Sequence, residues 1–337
     1  MRRRRRINLL AAYPVVVLVA VIVAMLVIAP MDGVSVTSMT FYGLLQIFAD
    51  YGLVALAVGL TIMIGEYDLS VAGSYILGGI VAVKLGVGSP LVGLLAAVAM
   101  GVVAGLIQGG VIARWQISSV PVTLGGYLTM VGIAYTISHG KTVNYMNFDV
   151  GSTLDNQVLG VFSLRSLLTV ALFVLVWAGM RWSGVGPQIR AIGGDRRASR
   201  TAGVPVAPTI LIVMVASGAL TAFAGALTAY SFASVAPSTT NLTPLLFGTV
   251  AAVLGGVALS GGRGSAAGIA VGALTYSALQ ETLGIMGAPQ ELNDVITGAV
   301  LLIVTIGAAP GLATQWRLAR TRYAPRAVTS RPAREAR

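Results

Sequence analysis

The chain has 337 residues and a net charge of +11, yet only 10% of its residues are charged and 56% are hydrophobic, whereas a soluble domain carries roughly 25% charged residues. No soluble fold of this length could bury so much apolar surface, so we expect a protein built almost wholly of membrane helices. The absence of cysteine and the single histidine, His139, exclude thiol chemistry and disfavour a metal site or an acid-base enzyme.

Ten apolar runs follow one another along the chain. A membrane helix needs about 20 apolar residues, and the first run, residues 7–30, is too long for the apolar part of a signal peptide. The other runs are 41–64, 71–88, 90–113, 118–138, 164–182, 208–231, 245–261, 265–284 and 291–309. We predict an all-α polytopic membrane protein of about ten transmembrane helices. Residues 7–309 form the transmembrane domain between a basic N-tail, residues 1–6, and an Arg-rich C-tail, residues 310–337.

The 22 basic residues lie in tails and short loops instead of along one face, which removes support for nucleic-acid binding. If the N-terminus is cytoplasmic, ten spans return the C-terminus to the cytoplasm. The cytoplasmic segments then hold Arg2–Arg6, Arg114, Arg181–Arg200, Arg263 and the tail from Arg317, and only Lys84, Lys141 and Arg165 fall elsewhere. This asymmetry follows the positive-inside rule and predicts a multi-pass protein of the cytoplasmic (inner) membrane with both termini inside.

The longest external stretch, His139–Leu164, is rich in Asn and Asp. It could hold a short amphipathic helix and is a candidate docking surface for an external partner. An ordinary solvated connector explains the same composition equally well.

Two segments of the chain resemble each other. Residues 64–70 and 254–260 align with a Gly, a Leu and a Ser in register, and each is followed by another apolar run. Gly-interrupted segments in both halves of a transporter point to a solute path, because broken backbone at membrane depth is tolerated only where it lines a cavity or is buried in protein. We therefore expect re-entrant or broken helices at these two turns.

Two carboxylates, Glu66 and Asp68, lie between apolar runs with no polar loop around them. Facing lipid, the two would cost on the order of 5 to 7 kcal/mol, so they face the protein interior, a water-filled path or the cytoplasmic interface. Asp68 or Ser70 can cap the following helix, and capping is the favoured interpretation for Asp68. Glu66 is then the better candidate for a path residue. Tyr67 beside a carboxylate suits polyol recognition, although mere packing explains it too.

The long cytoplasmic connection runs from Arg190 to Val204. Asp195 can cap a short helix that stops at Gly203, with Pro205 just beyond. A short basic helix flanked by glycines is a suitable lever for a cytoplasmic partner. Positive-inside charge with a lipid-headgroup contact is an equally good interpretation from the residues alone.

Four stretches resemble the ribose-type permease family of bacterial ABC importers, which also carry xylose and galactose. Residues 65–73 resemble its G-G-I-D-L-S-V-G-S motif, and Pro121–Gly125 resembles P-F-I-V-T-L-G with residues missing. Residues 191–204 resemble A-V-G-G-N-x-x-A-A-x-x-A-G-I, and residues 255–264 resemble its late G-G-x-x-x-x-G-G-x-G. The departures are Glu66, Tyr67 and Ala72 in the first motif, and Asp195 and Ser199 in the third.

The resemblance implies a permease subunit, not an enzyme, that imports a pentose- or hexose-like sugar. Such permeases work in pairs, as a dimer of copies or paralogues, receive solute from an extracytoplasmic binding protein and are driven by a cytoplasmic ABC ATPase. Since the chain has no G-x-x-x-x-G-K-[ST] phosphate loop, ATP would be bound by that ATPase, and we expect no directly bound cofactor and no metal. The candidate solute-path residues are Glu66, Tyr67, Asp68, Ser70, Thr123, Gly255, Gly256 and Ser260. The residues of the candidate ATPase coupling loop are Gly193, Gly194, Asp195, Arg197, Ala198, Ala202 and Gly203.

Other functions stay open. The same architecture could carry nucleosides or another non-sugar solute. An ion-coupled secondary transporter is a second class, with Glu66, Asp68, Glu281, Glu291 and Asp294 as possible ion sites. The glycine-bounded cytoplasmic loop favours the ATP-driven class.

Overall fold

The structure, a computed structural model, describes residues 9–31 and 33–308. The predicted tails, residues 1–6 and 310–337, lie outside the described residues. The helices are α1 (Leu9–Met31), α2 (Ser38–Met63), α3 (Val71–Leu85), α4 (Pro90–Trp115), α5 (Ser119–Ser138), α6 (Phe148–Asp155), α7 (Leu164–Trp182), α8 (Val185–Gly194), α9 (Arg196–Thr201), α10 (Val206–Ser231), α11 (Thr243–Leu254), α12 (Ala266–Ile285) and α13 (Gln290–Ala308). Two strands, β1 (Val143–Asn144) and β2 (Ser234–Val235), pair antiparallel.

The predicted all-α fold is confirmed, and each apolar run coincides with a helix. Within the described residues, six helices are long and apolar enough to cross a membrane: α1 from Tyr13, α2, α4, α5, α7 and α10. The apolar helices α3 and α11 are shorter. The predicted count of about ten spans is therefore not confirmed by length and composition, whereas a multi-pass membrane protein is.

The core is built around α2, α3 and α10. Along α2, every residue from Leu53 to Met63 is buried, and this helix packs against α10, α11 and α12. Helix α10 packs along α3 and α4. A Cβ on Gly101 of α4 would collide with the Gly218 carbonyl of α10, so these two helices touch through their backbones, as small residues allow in membrane proteins.

The two related turns end their helices in the same way, but their register differs from the predicted one by a residue. In each turn a glycine with a left-handed backbone, Gly65 (φ +83°) or Gly256 (φ +82°), donates to the carbonyl three residues earlier, and the next residue donates to the carbonyl five residues earlier. This is the usual glycine-stopped helix end. The sequence alignment paired Gly65 with Gly255, whereas the backbone conformation pairs Gly65 with Gly256.

A buried charge cluster fastens the segment between α5 and α7 to the core. Arg165, 2% exposed, pairs with Asp50 of α2 and lies 3.0 Å from Asp155 at the end of α6. Thr228 of α10 donates to Asp50 at 3.1 Å. The predicted short helix in this segment is present as α6. The ion pairs of Arg165 connect its end to the core.

Candidate functional site

Three segments meet backbone to backbone at one end of the bundle: the end of α2, the turn after α11 and the end of α8. The Gly262 N–H donates to the Met63 carbonyl at 2.9 Å. A Cβ on Gly261 would lie 3.1 Å from the Gly65 Cα and only 2.7 Å from the Gly193 carbonyl oxygen, and the second distance is shorter than side chains tolerate. We call this place the glycine junction, formed by Gly65, Gly193, Gly261 and Gly262. At Gly193, Gly261 and Gly262 a Cβ would strike neighbouring backbone atoms.

Beside the glycine junction, Glu66 forms an ion pair with Arg196, the first residue of α9. The Glu66 side chain is only 6% exposed and that of Arg196 is 32% exposed. A carboxylate so deeply buried needs its cation, because an unpaired buried charge is costly. The structure therefore places Glu66, the predicted path residue, against the predicted coupling loop.

Asp68 is buried among hydroxyl and backbone donors. Its Oδ1 accepts from the Ser70 N–H at 2.9 Å and from the Ser70 hydroxyl at 2.5 Å, and its Oδ2 accepts from Ser217 of α10 at 2.7 Å. Asp68 thus holds the backbone just before α3 and links it to α10. The N-cap residue of α3 is Ser70, whose side chain makes no capping hydrogen bond, so the capping interpretation is not confirmed for either residue. Ser217 was missed, because one serine within an apolar run gives no sequence signal.

Two hydroxyl groups near the start of α5 hydrogen-bond to the backbone of the α2–α3 turn. The Leu69 N–H donates to the Thr123 hydroxyl at 3.1 Å, and that hydroxyl lies 3.2 Å from the Tyr67 carbonyl oxygen. The Tyr67 N–H donates to the Ser119 hydroxyl at 3.0 Å. Thr123, taken from the second motif, is therefore brought to the other candidate residues of this turn, together with Ser119, which the sequence did not indicate.

The remaining candidate path residues are distributed between the two turns. The half-buried Tyr67 forms a hydroxyl contact of 2.6 Å with Thr249 of α11. Gly255 lies where a Cβ would strike the Gly268 carbonyl of α12, so it serves the α11–α12 contact. Ser260 is exposed. The structure thus gathers five candidates, Glu66, Tyr67, Asp68, Ser70 and Thr123, and leaves Gly255, Gly256 and Ser260 in the second turn.

The predicted capped helix in the connection between α7 and α10 is confirmed as α9. The Asp195 carboxylate accepts from the Ala198 N–H at 2.9 Å, and Gly203 has a left-handed backbone with φ +79°. Gly193 and Gly194 were predicted as a flank, but they form the last turn of α8, a helix that the sequence did not indicate. The surface of this element is formed by the exposed residues Gly194, Asp195, Arg197, Ala198, Ala202 and Gly203, and Ser199 is buried.

Comparison with known proteins identifies the architecture. Residues 39–305 match the family described as "Branched-chain amino acid transport system / permease component". No solved structure matches.

Curated relatives span nearly the same length as this chain. An L-arabinose ABC transporter permease of Azospirillum brasilense is 31% identical, covering 80% of this chain and 80% of that protein. A fructose import permease of Rhizobium meliloti is 27% identical over 87% of this chain and 83% of that protein. The ribose import permease of Escherichia coli K12 is 27% identical over 86% of this chain and 91% of that protein. With these matches along most of its length, the chain belongs to the sugar ABC importer permease family and is a transport subunit, not an enzyme.

Proposed function

We propose that this chain passes a pentose- or hexose-like sugar into the cytoplasm. The solute would come from an extracytoplasmic binding protein, and a second permease copy or paralogue would complete the pathway. Support comes from the sugars after which the relatives are named, which are arabinose, fructose and ribose. The family description names branched-chain amino acids, so an amino acid joins nucleosides as the alternative solute class to test.

We also propose that ATP is bound and hydrolysed by a cytoplasmic ABC ATPase that docks on α8 and α9. The Arg196–Glu66 ion pair carries this proposal. Through it, movement of α9 reaches the α2–α3 turn directly. The same movement reaches the α11–α12 turn through Gly193 and the hydrogen bond from Gly262 to Met63. One exposed element is thereby linked to both related turns.

The solute path in this proposal runs by the two turns, with roles refined by the contacts. Tyr67 is the residue suited to contact solute, since its ring is half-buried. A hydrogen bond between its hydroxyl and that of Thr249 holds the ring in place. Asp68, Ser70 and Thr123 shape the turn. Glu66 joins the turn to α9.

Uptake by cells that express the chain with its genomic-neighbour ATPase and binding protein tests the solute class. We expect import of at least one of D-ribose, L-arabinose and D-fructose, and no import when the ATPase lacks its catalytic carboxylate. Import of leucine or adenosine but none of the sugars would contradict the sugar assignment. Import that survives loss of ATP hydrolysis would favour the ion-coupled class.

A further inference from the structure

A cavity of about 260 Å³ lies between α2, α11, α12 and α13, away from the glycine junction. We call it the aromatic pocket; it is lined by Tyr51, Phe247, Tyr276, Gln280, Asn293 and Thr297. Tyr51 precedes Met63, at the junction, by 12 residues of α2, which is about 18 Å along the helix. None of these six residues belongs to the motifs that carry the family resemblance.

One wall of the aromatic pocket is a row of rings. The ring centroid of Phe247 lies 4.6 Å from that of Tyr276, with the two rings edge to face, and 5.0 Å from that of Tyr51. Tyr75, 5.9 Å from Tyr51, extends the row into the core. Aromatic faces present flat apolar surface with polar tips, which matches the C–H face and hydroxyl rim of a sugar ring.

The other wall is polar. The Tyr276 and Thr297 hydroxyls are 2.5 Å apart, and the Gln280 amide nitrogen donates to Tyr276 at 2.7 Å. The Asn293 Oδ1 atom is buried and has no hydrogen-bond partner among the described residues. A buried acceptor without a donor is uncommon, and a solute hydroxyl is a donor that could satisfy it.

The lining also discriminates between solute classes. It includes the carboxylate of Asp294, and no Lys, Arg or His is present among the described residues that line the pocket. An amino acid carries a carboxylate that needs a cation or several donors, and the described lining residues offer no cation. A neutral polyol has no such requirement. The volume lies just below the roughly 300 Å³ at which pockets for drug-sized ligands begin, which suits a single sugar ring.

We infer that the aromatic pocket is a binding site for a neutral monosaccharide-sized polyol within the permease. The inference rests on the proposed function and deepens it. It adds a binding site formed by α2, α11, α12 and α13 to the solute contact proposed at Tyr67 in the α2–α3 turn. Because four helices contribute lining residues, a shift of α11 and α12 relative to α2 would change the site's shape and release the solute.

Cysteine protection tests the pocket directly, since the chain has no native cysteine. Thr243→Cys places one thiol at an exposed lining position, and Thr240→Cys places one at an exposed position outside the lining. In the assembled complex, we expect the imported sugar to slow maleimide labelling at position 243 several-fold and to leave position 240 unchanged. Leucine should protect neither position. Protection by leucine and not by the sugar would overturn the polyol assignment.

Uptake by lining variants gives a second measurement. We expect Gln280→Leu and Asn293→Leu to lower sugar uptake per assembled complex about tenfold, the effect of losing one hydrogen bond. The control Val295→Ala, on the exposed side of α13, should transport normally.

The outcomes separate this inference from the proposed function. If the parent imports sugar but shows no protection, and both variants transport normally, the pocket assignment is wrong while the sugar permease stands. If the parent imports none of the sugars, the proposed function fails and the inference fails with it.

Discussion

Glu66 and Arg196 are 130 residues apart in sequence, yet their side chains form one ion pair. Sequence reasoning placed Glu66 away from lipid and made it a candidate for the solute path, and the structure pairs it with an arginine. Charge and hydropathy patterns show that a buried carboxylate must be compensated. They do not show which distant residue supplies the hydrogen bond or the charge, as Ser217 with Asp68 and Arg165 with Asp50 also illustrate.

We predict that Glu66→Gln and Arg196→Met each reduce solute-stimulated ATP hydrolysis and uptake together, because either change breaks the link between α9 and the α2–α3 turn. Residues that act as one pair are not additive. The double variant should therefore lose no more than the more damaging single variant, measured per assembled complex. If Glu66 contacts solute instead, Glu66→Gln would shift the solute dependence while Arg196→Met would not.

We predict that Arg165→Met lowers the folded yield and the thermal unfolding midpoint in detergent. The change leaves Asp50 and Asp155 facing each other without their cation, and breaking a buried pair costs about 3 to 5 kcal/mol. The matched control is Arg181→Met at the exposed end of the same helix, which should unfold as the parent does. Equal midpoints for both variants would contradict a structural role for the cluster.

The long apolar helices could be predicted from the sequence, whereas a short helix such as α8 depends on tertiary packing. The long apolar runs give helices because their length and hydropathy suffice. Helix α8 contains Gly186, Pro187, Gly193 and Gly194, residues that disfavour helix, so local propensity argues against it. Its helical form is supported by the burial of Ile189 and Ile192, each 2% exposed, and by the glycine junction, neither of which is visible before the fold is known.

We predict that the exposed face of α9 contacts the ATPase. Arg197→Glu and Ala198→Trp change residues that are exposed, so the permease should insert normally but recover less ATPase on purification and lose uptake. Arg114→Glu, an exposed charge reversal at the end of α4, serves as the control. Normal ATPase recovery and uptake with both α9 variants would place the ATPase contact elsewhere.

The short apolar helices α3 and α11 fit a membrane protein because other parts of the molecule satisfy the backbone at their ends. With 15 residues in α3 and 12 in α11, these helices span about 22 and 18 Å, less than the roughly 30 Å of hydrocarbon. Non-helical backbone at membrane depth must be satisfied by protein. Thr123 and Asp68 do this for the turn before α3. Among the described residues, a count based on helix length and composition therefore gives six spans, while the sequence pattern predicts about ten.

Single cysteines in the cysteine-free chain distinguish the two counts. With ten spans, an impermeant thiol reagent should label Ser152→Cys and Met286→Cys from outside, and Ala198→Cys and Ser260→Cys from the cytoplasm; all four positions are exposed. Labelling of Ser260→Cys and Ala198→Cys from the same side is the decisive result, because it requires α11 to run from the outer side to the glycine junction. Labelling of Ser260→Cys from the same side as Ser152→Cys would show that α11 does not cross. Labelling of Ala198→Cys from outside would instead reverse the orientation and remove the ATPase from α9.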